Sequence, residues 1–110
     1  MDELNDESHA LIELSEGEPG NFTATISGEL DIHSVDRLNG HIDDLLSRPV
    51  EHMDFDLSRL EFMDSSGLAL LLRLTNQFGP ARVTGAKPLI RRVIEVSGVA
   101  GVLRVEGGTP

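Results

Sequence analysis

The sequence predicts an α/β domain: a single mixed β-sheet with helices packed on it, in the order β-β-α-β-α-β-α-β. Three observations predict it. Apolar residues recur at period two in some stretches and at helical period in others, and the two kinds alternate along the chain. Gly and Pro cluster mostly between these stretches, where they punctuate turns. The length of 110 residues suffices for one core and not for two. Alternation of this kind calls for parallel, right-handed β-α-β crossovers within one sheet.

The elements follow in order. "SHALIELSEGEPGNFTATISGEL" reads as two strands joined by a turn at Glu16 to Asn21, with Phe22, Ala24 and Ile26 alternating against Thr23, Thr25 and Ser27. "SVDRLNGHIDDLLSRP" changes period: Val35, Leu38, Ile42, Leu45 and Leu46 share a helical face. Ser34 is its expected N-cap, Asp36 favours its positive end, and Pro49 stops it, while Gly40 weakens its middle. "HMDFDLS" alternates again, with Met53, Phe55 and Leu57 against Asp54, Asp56 and Ser58. The run Leu68 to Phe78 is helical, with Leu68, Leu71, Leu72 and Thr75 on one face and Leu70 and Leu74 beside it, and Gly79-Pro80 ends it. "ARVTG" is a short strand. "KPLIRRVIEVSG" is a helix that begins at Pro88 and ends at Gly98, with Leu89, Val93 and Val96 as its expected apolar face. "VLRVE" is the expected last strand. Residues 1–7, "MDELNDE", read as a flexible acidic tail, residues 8–106 as the domain, and 107–110 as a C-terminal tail.

Composition narrows the function. A hydrophobic content of 39% is that of a globular chain, not a disordered one. A net charge of -10 repels phosphates and anionic membranes, so neither direct nucleic acid binding nor membrane binding is expected. The same acidity suits a basic protein partner, or solubility alone. No apolar run approaches the roughly 20 residues of a membrane span. The absence of cysteine and of a signal-peptide pattern at the start points to a cytoplasmic location.

The chemistry concentrates in "DSSG", residues 64–67. A helix follows it, whose first N–H groups are free and carry partial positive charge. Asp64 or Ser65 caps that helix in the plainer reading. In the other, Ser65 accepts a phosphate, which a helix N-terminus accommodates, and the added charge alters binding without melting the fold. Other constellations are weak. His9, His33, His41 and His52 lack metal-ligand spacing, no G-x-S-x-G elbow supports a serine hydrolase, and no phosphate-binding glycine loop is present. No metal or cofactor is expected. Lys87, Arg91 and Arg92 form a basic cluster that is either a solvated face or a partner contact.

"DLSRLEFMDSSGLALLLRL" resembles the signature of STAS domains, specifically of bacterial anti-sigma factor antagonists. "SGELD" (residues 27–31) matches the motif before the first helix of that family, and "VTGAKPLIRRVIEVSGVAGVLRV" its C-terminal helix and turn. The resemblance spans residues 8–106 and implies the STAS fold. It also implies a partner switch in transcription regulation. The unphosphorylated protein binds an anti-sigma factor, itself a serine kinase, and so frees a sigma factor. Phosphorylation of Ser65 breaks that complex, and a serine phosphatase resets it. The protein is then a kinase substrate and not an enzyme. Asp31 and Asp64 border the site, and Ser66 and Gly67 flank it as partner contacts. Topology places Asp31 beside Ser65, since parallel strands joined by a crossover end on the same edge. The bland role for Asp31 is to cap the first helix. Alternatives in the same family are a STAS subunit of a membrane transport complex and a stressosome-like scaffold component.

Overall fold

The computed structural model describes residues 10–106. Both expected tails, 1–7 and 107–110, lie outside the described residues. The elements are β1 (Leu11–Glu16), β2 (Asn21–Leu30), α1 (Ile32–Leu46), β3 (His52–Asp56), β4 (Leu60–Met63), α2 (Ser65–Phe78), β5 (Ala81–Thr84), α3 (Pro88–Val96) and β6 (Leu103–Val105). The sheet runs β1-β2-β3-β5-β6, with β4 also paired to β2. β1 lies antiparallel to β2, and the remaining pairs are parallel. This is the mixed sheet expected from the sequence.

From β2 the helix-linked crossovers to β3, β5 and β6 step the same way across the sheet, and β4 turns back to pair with β2. Right-handed crossovers in one direction put their helices on one face. The burial pattern agrees. Phe22, Ala24 and Ile26 of β2 and Met53 and Phe55 of β3 are buried, while Thr23, Thr25, Asp54 and Asp56 face the other side half-exposed. Ala24, Ile26, Met53, Phe55, Val83 and Leu103 form one core cluster with Leu38 and Ile42 of α1, Leu71 and Leu74 of α2, and Ile90 and Ile94 of α3. No helix among the described residues is long and apolar enough to cross a membrane.

β4 was not expected, and it positions the site. The ten residues of β2 pair in two halves. Asn21–Thr25 match His52–Asp56 of β3, and Gly28–Leu30 match Leu60–Met63 of β4. Between β3 and β4 the chain makes a turn in which the Leu60 N–H donates to the Leu57 carbonyl at 3.0 Å. β2 answers with a register shift between Gly28 and Glu29, and Gly28 takes φ 91°, where a side chain would be strained. In β4 Leu60 and Met63 are buried and the two residues between them are exposed, so it carries no period-two signal.

Two expectations about helices are corrected. α1 begins at Ile32 after the Asp31 cap, not at Ser34, whereas α2 begins at Ser65 after Asp64, one of its two expected caps, and runs three residues ahead of the apolar stretch from Leu68. α3 turns Ile90 and Ile94 into the core, and leaves Leu89 and Val96 of its expected inward face exposed.

Candidate functional site: two helix N-termini on one sheet edge

Leu30 and Met63 are register partners on the parallel strands β2 and β4. The next residue on each strand is an aspartate that caps a helix. Asp31 has extended backbone and precedes α1; its Oδ1 accepts the Ser34 N–H at 2.9 Å. The Asp31 N–H donates in return to Ser34 Oγ at 2.9 Å, which closes a reciprocal capping box. Ser34 is therefore not the cap but its partner in the first turn. Its hydroxyl is buried and donates to the Glu29 carbonyl at 2.6 Å. The Ser34 N–H is the main cause holding the Asp31 carboxyl below its ordinary pKa of 3.8; desolvation opposes it, and the Ser34 hydroxyl and His33 add smaller lowering contributions.

Asp64 repeats the arrangement on β4. Its Oδ1 accepts the N–H groups of Ser66 at 2.8 Å and Gly67 at 3.3 Å. Of the two candidates for this cap, the structure selects Asp64. The Asp64 N–H donates to the Leu30 carbonyl at 3.2 Å, so the two caps are joined through the backbone that precedes Asp31. Two helix N-termini thus open side by side at the carboxyl edge of the sheet, each with a carboxylate over its first turn.

Ser65 is the first residue of α2 and is exposed. Because Asp64 supplies the cap, the Ser65 hydroxyl is not needed to start the helix. Ser66 is half-buried and faces an open groove between α1 and α2 lined also by Ile32, Val35, Asn39 and Ala69. The Arg73 guanidinium bonds Asn39 Oδ1 at 2.9 Å and links the two helices. Gly67 is buried. A Cβ there would lie 2.6 Å from Leu30 Cβ and Met63 Cγ and 2.9 Å from the Leu30 carbonyl oxygen. Its hydrogen lets α2 sit against the strand ends, so Gly67 shapes the site from beneath.

Sequence reasoning missed Ile32, which is 63% exposed at the first position of α1, on the groove. The D-x-x-S spacing of Asp31 and Ser34 was the signal that sets the start of α1 there.

The chain belongs to the STAS family: a family model described as "Mlab, STAS domain" matches residues 17–105. It is 34% identical over 91 residues to an anti-sigma F factor antagonist of Paenibacillus polymyxa, with 78% of each chain covered. Among solved structures, the fold is similar to an anti-sigma factor antagonist from Mycobacterium paratuberculosis, with a TM-score of 0.77 and 21% identity over 92% of this chain and 88% of that one. It is also similar to the anti-sigma factor antagonist SpoIIAA in its unphosphorylated form, with a TM-score of 0.70 and 25% identity over 86% of this chain and 87% of that one. The phosphorylated form of SpoIIAA, from Bacillus, gives 0.64 and 25% over 86% and 90%.

Proposed function

We propose that this STAS domain is an anti-sigma factor antagonist that changes partners when Ser65 is phosphorylated. In the unphosphorylated state it binds an anti-sigma factor, a serine kinase, and releases a sigma factor from it. Phosphorylation by that kinase ends the complex, and a serine phosphatase restores it. The domain is a substrate in this cycle and carries out no catalysis. The Paenibacillus relative and the two described forms of SpoIIAA support this reading.

The observation that carries it is the division of labour at the start of α2. Asp64 holds the cap through the Ser66 and Gly67 N–H groups, and Ser65 stands exposed one residue on. A kinase reaches that hydroxyl without unwinding the helix. A phosphate there sits at the positive end of α2, which tolerates an anion. It also brings close to two negative charges beside Asp31 and Asp64. A partner face that accepts a neutral hydroxyl then meets an unpaired charge, which is costly to desolvate.

The test is a pull-down from native cells with wild type and Ser65→Ala, together with peptide mapping after incubation with the captured kinase and ATP. Capture of a serine kinase that places phosphate on Ser65 supports the reading. Phosphate on Ser66 or Ser58 alone removes Ser65 from it. Capture of an ATP-driven transporter or of a large scaffold assembly, with no kinase, favours the other family roles.

A further inference from the structure

Ile32 and Ser65 hold equivalent places in the fold. Leu30 and Met63 are register partners on parallel strands, Asp31 and Asp64 cap the helices that follow, and Ile32 and Ser65 are the first residues of α1 and α2. A hydroxyl at such a position is well solvated. An isoleucine there, 63% exposed, is not. The helix start does not require it, because Asp31 and Ser34 close the capping box between them. A single exposed apolar side chain is ordinary surface. This one leads into a groove beside the candidate phosphosite.

The groove runs between two helix faces. Positions 32, 35 and 39 of α1 are spaced by three and four, as are positions 66, 69 and 73 of α2. Ile32, Val35 and Asn39 face Ser66 and Ala69 across it. The bond from Arg73 to Asn39, 2.9 Å long, closes the far end. From Ile32 to Asn39 the helix rises about 10 Å, which leaves room for one or two side chains. Asp31 and Asp64 stand at the head of the groove, and Asp36 and His33 lie on its α1 wall.

We propose that Ile32 anchors the partner that covers Ser65: an apolar side chain of that partner, carried on a basic segment, packs on Ile32, Val35 and Ala69. This rests on the Ser65 reading and names the chemistry of the face that meets it. Two observations select the occupant. Ser66 lines the groove and Ser65 precedes it at the same sheet edge, so groove and phosphosite are one surface. Packed helices lie about 10 Å apart, so a partner face over the Ser65 hydroxyl also covers Ile32. The carboxylates around the groove have the sign of the whole chain, whose net charge is -10, so local and long-range fields both favour a basic face. A second copy of the chain would set carboxylates against carboxylates. Ile32 does not touch the transferred phosphate; it is a positioning and specificity residue that selects partners with an apolar side chain at this contact.

The experiment uses the kinase captured by the wild-type chain, with calorimetry for affinity and steady-state kinetics for phosphorylation of Ser65. Ile32→Ala is expected to weaken binding about tenfold, Ile32→Glu more, and Ile32→Val less than about threefold, all with unchanged circular dichroism. KM should rise in step with the lost affinity while kcat holds, since only uniform binding is removed. Asp36→Lys is expected to weaken binding about fivefold by repelling a basic segment. Wild-type affinity and KM in both Ile32→Ala and Ile32→Glu, a fall in kcat alone, or tighter binding by Asp36→Lys would overturn the proposal. Ser65→Glu in parallel separates the two readings. If it loses the partner while the Ile32 variants bind as wild type, the anchor fails and the Ser65 switch stands. If Ile32→Glu loses the partner and Ser65→Glu keeps it, the switch fails and the anchor stands. A wild-type chain that captures no kinase overturns both.

Discussion

Asp31 and Asp64 are paired caps: the residues before them, Leu30 and Met63, face each other on parallel strands, and the Asp64 N–H donates to the Leu30 carbonyl. Each carboxylate closes the first turn of its own helix. Replacement by Ala is expected to cost about 1 kcal/mol at either position, and by Asn only a few tenths, since an amide oxygen accepts the same N–H groups. Urea denaturation of the four variants measures this. The Asn pair then separates capping from chemistry. With the proposed kinase, Asp31→Asn and Asp64→Asn should phosphorylate more slowly at nearly unchanged stability. Wild-type rates in both would leave the two carboxylates as caps only.

Gly67 and Gly40 are expected to respond in opposite directions to the same substitution. Gly67→Ala drives a methyl to 2.6 Å from Leu30 Cβ and Met63 Cγ, so the first turn of α2 must lift from the sheet. The expected loss is about 2 kcal/mol. Gly40 is exposed inside α1 with nothing within 4 Å of an added Cβ. Gly40→Ala should therefore raise stability by about 0.5–1 kcal/mol through helix propensity alone. Thermal melts of the two variants decide, and a Gly67→Ala melt at or above wild type would refute the close approach.

Acid should unfold the domain through its open sheet face and the α1 cap. Burial by itself raises the pKa of Asp54, but the Arg82 N–H, His52 and the Arg82 charge together hold it below 3.8. The Ser58 N–H and hydroxyl lower Asp56, and Ser34 lowers Asp31. A carboxyl whose folded pKa lies below its unfolded value contributes stability above the unfolded value, and loses it as pH falls through the folded one. The urea midpoint is therefore expected to be flat from about pH 7 to about 5 and to fall below about pH 4. Asp54→Asn should show a shallower fall over that acid range. Parallel curves for wild type and variant would mean that Asp54 contributes nothing to acid unfolding.

Where one physical rule dominated, the sequence could be read directly. Phe22, Ala24 and Ile26, and Met53, Phe55 and Leu57, alternate because one sheet face is buried, and the structure buries all six. The shared edge of Asp31 and Asp64 followed from the crossover rule. The start of α1 falls earlier than the Ser34 cap expected because Ile32-His33 lack apolar period and Asp31 defines it; the start of α2 was legible through Asp64, although Ser65-Ser66-Gly67 precede its apolar run. β4 is four residues with two exposed in the middle, and pairing with the far half of β2 makes it a strand. α3 offers two apolar stripes, and only its attachment to the sheet decides that Ile90 and Ile94 go inward.

Ser65→Glu is expected to separate folding from binding. Ser65 is exposed at the first position of α2, so a carboxylate there needs no cavity and lies where the helix favours an anion by about 0.3–1 kcal/mol. Repulsion from Asp64 and Asp31 works against that gain. The two effects are of similar size at an exposed site, so the melting temperature should stay within about 4 °C of wild type. Affinity for the proposed anti-sigma partner should fall at least about tenfold, since the new charge enters a face that accepts a neutral hydroxyl. Ser65→Ala should bind as wild type and resist phosphorylation. Ser66→Glu makes the informative contrast: Ser66 is half-buried against the α1–α2 groove, so its charge meets Ile32 and Val35 as well as solvent, and a larger stability loss is expected. Calorimetry gives the affinities and circular dichroism the melts. A Ser65→Glu variant that melts as wild type and binds as wild type would end the role of this position as a switch.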